Sequence, residues 1–440
     1  MENKPTLLSI AGSLLAFTVP LILSGLFQQL FNWVDAFIVG NVQGEAALAG
    51  IGATTSIYNL FVTVITGFTS GLAVLSAQQY GKGKKKKINE SLSLYSLLLV
   101  IVFGACAAAG VRFSGNILSV MNTPENIFEL AESYLRIMFI GIPFLAVYNT
   151  YSAVLRGVGN SRAPFFSVLV SSVANVVLDI VFVAKLGYGT AGAAAATVIA
   201  QFAMTLFIVI YTYIKYPFLR FSLPKKAEDK TVFGSGMRFG LPSAVQSGVS
   251  SIGNVYLQQF MNGFGEQTVA AITTAYRVDT VIFLPIINFS SGIATMVAQN
   301  IGAGDQVQAK KIFRIGTVIM AAISIVLTLL VLLTGKYLIG IFGLSPESTE
   351  LGDDFFHSIA VFYIIYGLGM AVRGYLEGNG DMLFSGVAGI LALAVRIICS
   401  YAFEPLFNNM VVAYAEAFSW IFLLVLLILR YRRRYRRWDI

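Results

Sequence analysis

The chain has 440 residues, of which 57% are hydrophobic and only 12% are charged. A soluble fold of this length needs a far more polar surface, so the composition excludes a soluble globular protein and predicts a polytopic membrane protein. The net charge of +8 would suit a nucleic-acid partner or an anionic substrate, but the positions of the basic residues favour neither. A single histidine leaves no histidine cluster for a metal.

Twelve apolar stretches follow one another along the chain, each of about 20 residues or more and long enough to cross a hydrocarbon core about 30 Å thick. They centre near residues 26, 62, 101, 141, 176, 201, 248, 283, 322, 364, 392 and 420. Proline interrupts several of them, and because neighbouring helices satisfy the backbone groups that a proline frees, we expect kinks and not breaks. These prolines are Pro20, Pro143, Pro242 and Pro285.

The first predicted span carries a carboxylate, Asp35, in a stretch without lysine or arginine between Lys4 and Lys82. Gln28 and Asn32 fall on the same helical face as Asp35. A carboxylate costs about 2.5–3.5 kcal/mol at the bilayer centre, and such a group is generally kept for pairing or for function. We therefore expect Asp35 to bind an ion, and we expect Gln28 and Asn32 to line a substrate cavity.

The fifth and sixth spans offer companions for that acid. On span five, Asn175 and Asp179 are four residues apart on one face, and on span six Thr197 lies two turns from the predicted outer end. All three are expected at the depth of Asp35, in the outer part of the membrane. Two carboxylates with amide and hydroxyl neighbours can share a proton or bind a sodium ion. The alternative is a hydrogen-bonded cluster that only holds helices together.

The second half of the chain carries a different set of polar residues. Gln246 and Asn254 belong to a stripe at every fourth residue of span seven, which either lines a wet cavity or packs against a neighbouring helix. Asp279 on span eight lies at a depth similar to that of three other charged residues, and opposite signs at one depth favour ion pairs, with a substrate role as the alternative. Those three are Arg277, Arg396 and Glu416.

The lysines and arginines divide unequally between the two sides of the predicted bundle. With the amino terminus inside, 24 of the 30 fall in inside loops and tails, three in outside loops and three within spans. The positive-inside rule then places both termini in the cytoplasm. The basic charge therefore reflects topology, so we expect no nucleic-acid partner, and the basic segments 82–87 and 430–437 are expected to contact membrane lipids.

Short motifs recur along the chain at a nearly constant offset. Pro20 recurs as Pro242, AQQYGKG at 77–83 recurs as AQNIGAG at 298–304, and Gly159 recurs as Gly378. This indicates duplication of a six-helix unit, and an even number of spans gives both copies the same orientation. The predicted fold is an all-α polytopic membrane protein with twelve transmembrane helices in two six-helix bundles, related by a parallel pseudo-two-fold repeat. The predicted domains are lobes at 1–215 and 234–440 and a cytoplasmic loop at 216–233.

Several long motifs are similar to those of multidrug and toxic compound extrusion (MATE) transporters, particularly the bacterial DinF-like branch. They are LFNWVDAFIVGNVQGEAALAGIG, QQYGKGK, LRGVGNSRAPF, NVVLDIVFV, AGAAAATVIAQ and YRVDTVIFLPIINFSSGIATMVAQNIGAG, and they cover nearly the whole chain. The resemblance implies two bundles that export amphipathic, often cationic compounds in exchange for protons or sodium. It places the ion-coupling network at Asp35, Asn149, Asn175, Asp179 and Thr197. Span ten, FYIIYGLGMAVRGY, departs from the NorM-like pattern because it contains no acid.

The sequence thus predicts a multidrug efflux transporter of the bacterial cytoplasmic membrane that works as a monomer by alternating access. No cofactor is expected besides the coupling ion, H⁺ or Na⁺. No metal site is expected other than one for sodium at Asp35 and Asp179. The candidate cavity residues are Gln28, Asn32, Gln246, Asn254 and Asp279. The alternative function is a flippase for a lipid-linked sugar, which would need a strongly cationic cavity. An enzyme is not expected, because no DDxxD, HExxH or Ser/His arrangement is present.

Overall fold

The computed structural model describes residues 6–223 and 229–435, and apart from short turns this part of the chain is helical. Most of the helices are far longer than those of soluble domains, as apolar membrane-crossing segments require. The α-helices are α1 Leu7–Gln43, α2 Glu45–Gly81, α3 Lys85–Val120, α4 Glu125–Gly157, α5 Arg162–Asp179, α6 Gly189–Lys215, α7 Asp229–Asn262, α8 Glu266–Ile282, α9 Leu284–Ala303, α10 Gln306–Gly340, α11 Pro346–Ile359, α12 Tyr363–Gly378, α13 Met382–Phe407 and α14 Val411–Arg434.

These helices make twelve membrane-crossing segments. Among the described residues, ten stretches are long and apolar enough to cross a membrane, and one of them, Met382–Arg434, contains both α13 and α14. The more polar α7 adds the twelfth segment, while α8 with α9 and α11 with α12 each form one crossing. The predicted all-α fold with twelve segments is confirmed.

The four prolines of the spans differ in their effect on the helices. α1, α4 and α7 continue through Pro20, Pro143 and Pro242. At Pro285 the helix breaks for one residue, Phe283, and Pro285 lies in the first turn of α9, where its missing N–H and fixed φ are tolerated. None of these prolines ends a membrane crossing.

The described chain packs into two compact units. The N-unit contains residues 23–244, and the C-unit contains the residues up to Ile22 together with those from Val245 onward. The division falls inside α1 and inside α7, so the first half of α1 packs in the C-unit and the first half of α7 packs in the N-unit. The predicted lobes, 1–215 and 234–440, follow the sequence repeat and stay a prediction about the duplicated segments.

The first half of α7 packs against α2 and α3 of the N-unit through glycines. Gly236 lies so close to the ring of Tyr95 that a Cβ would not fit, and a Cβ on Gly240 would lie 2.9 Å from the ring of Phe68. The Tyr95 hydroxyl also donates a hydrogen bond to the carbonyl of Phe233. Small residues permit such close approach of helices in membranes.

The first half of α1 also packs beside a glycine, in the C-unit, but with the residue sizes reversed and less closely. Leu14 is fully buried, and a Cβ added to Gly316 of α10 would lie at an ordinary contact distance of 3.8 Å from it and at 2.8 Å from Ile293 of α9. At an offset of about 221 residues, Leu14 corresponds to Gly236 and Gly316 to Tyr95. The large residue of the pair therefore lies on α3 in the N-unit and on α1 in the C-unit.

The beginning of the predicted 216–233 loop is tied to the N-unit. Leu219 is fully buried, the Ser222 amide donates to the Ser93 hydroxyl at 3.1 Å, and the Lys85 ammonium lies 5.4 Å from the centre of the Phe218 ring. Residues 224–228 of this loop lie outside the described residues, as do residues 436 and 437 of the basic segment at the carboxyl end.

Candidate functional site

The structure brings Asp35 of α1 and Asp179 of α5 together within the N-unit. Their carboxyl groups are close enough to hydrogen-bond to each other, which requires a proton on one of them. Asp179 is completely buried and Asp35 is partly buried. Directly after Asp179 the helix changes to a π-helical turn at Ile180–Lys185, a feature that is frequent at functional sites.

Apart from each other, the two acids lack hydrogen-bond donors for their buried oxygens within the described residues. Asp35 Oδ1 and both carboxyl oxygens of Asp179 are buried and accept no hydrogen bond from the described part of the chain, and neither acid forms an ion pair there. Because an ionised carboxylate only accepts hydrogen bonds, burying it without a donor or a cation costs several kcal/mol. A proton or a cation between the two carboxyl groups would lower this cost, because it removes one of the two negative charges and the repulsion between them.

Asn175 and Thr197 join α5 to α6 beside the acids. Asn175 lies one turn before Asp179, and its amide donates to the Thr197 hydroxyl over a long 3.5 Å. The Thr197 hydroxyl donates in turn to the Ala193 carbonyl at 3.0 Å. The structure therefore brings together four of the five residues predicted for the coupling network.

Three residues that the sequence argument did not assign to the network complete this polar layer. Tyr134 of α4 is buried and close enough to both acids and to Tyr58 to interact with them electrostatically. Gln201 donates to the Tyr58 hydroxyl at 2.6 Å, and its buried Oε1 has no donor within the described residues. Gln201 was detectable because it follows Thr197 by one helical turn, whereas nothing in its sequence context distinguishes Tyr134.

The remaining candidates of the N-unit lie elsewhere. Asn149 is fifteen residues beyond Tyr134 on α4, about 22 Å along the helix axis, and its amide donates at 2.9 Å to a carbonyl one turn back in the same helix. Gln28 and Asn32 are exposed, and Asn32 donates to Gln29 of its own helix at 3.3 Å. Their predicted roles stay predictions.

The three cavity candidates of the C-unit have three different surroundings. Gln246 accepts a hydrogen bond of 2.6 Å from Arg373, so this part of the α7 stripe packs against α12. Asn254 is exposed. Asp279 is buried and accepts a short hydrogen bond from the Tyr363 hydroxyl.

Of the four charged residues expected at one depth in the C-unit, Arg396 and Glu416 pair with each other, whereas Arg277 and Asp279 do not. Arg396 forms an ion pair of 2.7 Å with Glu416 and donates to the Tyr276 hydroxyl at 2.7 Å, as the prediction of ion pairs has it. Arg277 is exposed and forms no ion pair with Asp279. The C-unit therefore supplies Glu416 with a basic partner, which Asp35 and Asp179 lack within the described residues of the N-unit.

Comparison with protein families matches the chain twice. The MatE family model covers residues 20–181 and 242–402, which reproduces the offset of the internal repeat. Among curated relatives, the chain is 29% identical over 402 residues to the "Probable multidrug resistance protein YpnP" of Bacillus subtilis, covering 91% of this chain and 89% of that protein. It is 20% identical over 409 residues to the "Multidrug export protein MepA" of Staphylococcus aureus, covering 90% and 88%.

Solved structures match over almost the whole chain. "Crystal structure of MATE in complex with MaL6" has a TM-score of 0.91 at 20% identity and covers 97% of each chain. A MOP superfamily transporter from Pyrococcus furiosus has a TM-score of 0.91 at 20% identity and covers 98% of this chain and 97% of its own. At this identity the likeness shows the fold. With both copies of the family model matched, the chain belongs to the MatE family of membrane transporters, as its motifs indicated.

Proposed function

We propose that this transporter exports amphipathic, often cationic compounds and that the entry of protons or sodium at Asp35 and Asp179 drives the export. The observation that carries the proposal is the buried carboxyl pair without a hydrogen-bond donor. The names of the curated relatives, which describe multidrug resistance and export, support the class of substrate.

The coupling follows from the cost of burying the two carboxylates. A bound proton or cation removes one of the two negative charges and the repulsion between the carboxylates, so it favours the conformation in which the acids are buried, and its departure favours a conformation in which they are hydrated. An ion biases two conformations only through different affinities for them, and burial provides such a difference. A proton that crosses about 100 mV gains roughly 2.3 kcal/mol, and each pH unit adds about 1.4 kcal/mol. A cationic compound that competes for the same carboxylates gives antiport.

The remaining parts of the proposal concern topology and assembly. The distribution of lysine and arginine supports cytoplasmic termini in a bacterial cytoplasmic membrane. We propose that Asn175 and Thr197 support the ion site, that the transporter works as a monomer in contact with membrane lipids, and that it needs no cofactor.

The test is export of a fluorescent cationic dye by the purified protein in vesicles, under an imposed proton gradient or sodium gradient. The parent is expected to export the dye with one of these gradients, and Asp35→Asn and Asp179→Asn are expected to lose at least nine-tenths of that rate. Glu129→Gln is the matched control, because it removes an exposed carboxylate of the same unit, and it should export like the parent.

Two results would count against the proposal. Equal export by the parent and both Asp variants would remove the acids from the coupling. Absence of dye export by the parent under either gradient would favour the alternative cargo, a lipid-linked sugar.

A further inference from the structure

Three apolar residues of the N-unit lie next to the ion site, all on the same side of it. Val39 on α1 and Val183 in the π-helical turn after α5 each follow one of the two acids by four residues, about 6 Å along a helix. On α6, Ala193 precedes Thr197 by four residues. All three are fully buried and belong to one apolar cluster. We call Val39, Val183 and Ala193 the apolar layer.

The apolar layer stands between the acids and two turns of the chain. One turn joins α1 to α2, and the other joins the π-helical turn to α6. The two turns lie beside each other, because a Cβ added to Gly189 at the start of α6 would lie 3.5 Å from Oε1 of Gln43 at the end of α1. An ion that came from these turns would therefore have to cross the apolar layer.

The opposite side of the ion site is polar and exposed. Asp35 is partly exposed, and Asn32 and Gln28, one and two turns earlier on the same face of α1, are exposed. Asp179 is completely buried, together with both of its carboxyl oxygens. An ion that arrives along this face of α1 therefore meets Asp35 first and Asp179 second.

Val183 enters the apolar layer from the π-helical turn. There the amide of Leu186 donates at 2.9 Å to the carbonyl of Val181, five residues back, whereas an α-helix bonds four residues back. The extra residue changes the direction of the side chains that follow. At the repeat offset of 221 residues, Asp179 corresponds to Ser400, and α13 continues beyond that residue as an α-helix. The π-helical turn therefore accompanies the acid of the N-unit.

We propose that the apolar layer closes the ion site on the side of these turns, so that protons or sodium ions reach the acids only along the face of α1 that carries Asn32 and Asp35. The inference rests on the proposed function of the two acids. Fully buried aliphatic side chains exclude water, and an ion does not cross such a layer without water. A second opening would hydrate the acids while they are buried, and ions would then pass through the site without cargo. The layer therefore keeps ion entry coupled to export.

The first test measures whether water reaches position 183. In a full-length variant with Cys106 and Cys399 replaced by alanine, Val183→Cys is treated with a membrane-impermeant thiol reagent in open membrane fragments, with and without sodium and at two pH values. A thiol reacts as its hydrated thiolate, so we expect modification at least about tenfold slower than in the matched control Leu186→Cys, which lies in the exposed turn three residues on. Equal rates in the two variants, or modification at position 183 that the ion slows, would overturn the proposal.

The second test measures proton or sodium flux into vesicles that contain the purified protein and no dye. Val183→Ser is expected to raise this flux about tenfold over the parent, because it removes two buried methyl groups and adds a hydroxyl that binds water. Val173→Ser is the matched control, because it makes the same change at an exposed valine of α5, and its flux should equal that of the parent. Unchanged flux in a folded Val183→Ser variant would overturn the proposal. The thiol test involves no transport, so its result is separate from success or failure of the export proposal.

Discussion

The buried acids of the two units differ in what the protein provides for them. In the C-unit, Glu416 pairs with Arg396 and Asp279 accepts from Tyr363. In the N-unit, Asp35 Oδ1 and both oxygens of its neighbour Asp179 accept nothing from the described residues. One copy of a duplicated fold therefore provides side-chain partners for Glu416 and Asp279, whereas the other provides none for these oxygens of Asp35 and Asp179 within the described residues.

The largest difference between the units should appear when an acid is removed. Glu416→Gln leaves Arg396 as a largely buried charge without its ionic partner, and we expect it to lower the free energy of unfolding by about 3 kcal/mol. Asp179→Asn removes a buried carboxylate that has no donor, so its stability should equal or exceed that of the parent. Thermal unfolding of both variants in detergent tests this contrast, and an equal loss in both would contradict it.

A second difference concerns stabilisation by cations. If a proton or sodium ion binds the folded N-unit and not the unfolded chain, raising its concentration to about one hundred times the dissociation constant adds about 2.7 kcal/mol of stability. Titrating the parent with acid or with sodium should therefore raise its melting temperature, and the double variant Asp35→Asn/Asp179→Asn should lose that rise. A response that survives in the double variant would place the bound ion elsewhere.

The third contrast concerns the first halves of α1 and α7, whose contacts have the large and the small residue reversed. Gly236→Leu inserts a side chain against the Tyr95 ring, and we expect it to lower the free energy of unfolding by about 1–3 kcal/mol. Adding Tyr95→Gly reproduces the arrangement of Leu14 and Gly316 in the C-unit, so the double variant should recover part of the loss. A double-mutant cycle on melting temperature measures this coupling, and additive effects would rule out the reversed pairing.

The smallest contrast concerns the turns at the ends of α4 and α12. In the N-unit, Asn160 donates at 3.0 Å to the Tyr211 hydroxyl, and in the C-unit Asp381 binds Arg430 through two contacts of 2.7 and 3.0 Å. Because Arg430 is partly exposed, the ionic coupling is expected to be about 1 kcal/mol and to fall in about 0.5 M salt. Double-mutant cycles at low and high salt should show no salt effect on the coupling energy between Asn160 and Tyr211. An equal salt effect on both coupling energies would contradict an ionic interaction between Asp381 and Arg430.

The helices and the acid pair were predictable because their signals are local. Apolar length set the twelve crossings, and the four-residue spacing of Asn175 and Asp179 put them on one face toward Thr197. Motif resemblance placed Asn149 in the same network, but a motif carries no depth, and Asn149 lies about 22 Å along α4 from Tyr134. The neighbours of the first halves of α1 and α7 depend on contacts between residues more than 130 positions apart, which no local pattern reveals.

Of the four charged residues expected at one depth in the C-unit, Arg277 and Asp279 do not pair with each other, and the reason is geometric. Residues two positions apart on a helix point to different faces, so neighbouring opposite charges on α8 do not meet. Asp279 instead turns inward to Tyr363, while Arg277 lies on the exposed face. Similar depth was a sound criterion for Arg396 and Glu416, because those two residues lie on different helices and face each other.

The packing of the first half of α1 in the C-unit affects the order in which the chain can fold during synthesis. The first half of α1 is synthesised early, but its packing surface on α10 includes Gly316, about 300 residues later. At about 5–20 residues per second, roughly 15 to 60 s pass before that surface exists. The amino-terminal segment must wait in lipid or in the insertion machinery during that interval. If the chain were cut within residues 224–228, the N-unit would lack the first half of α7 and the C-unit would lack the first half of α1 when either fragment is expressed alone. Only joint expression of the two fragments would restore both units.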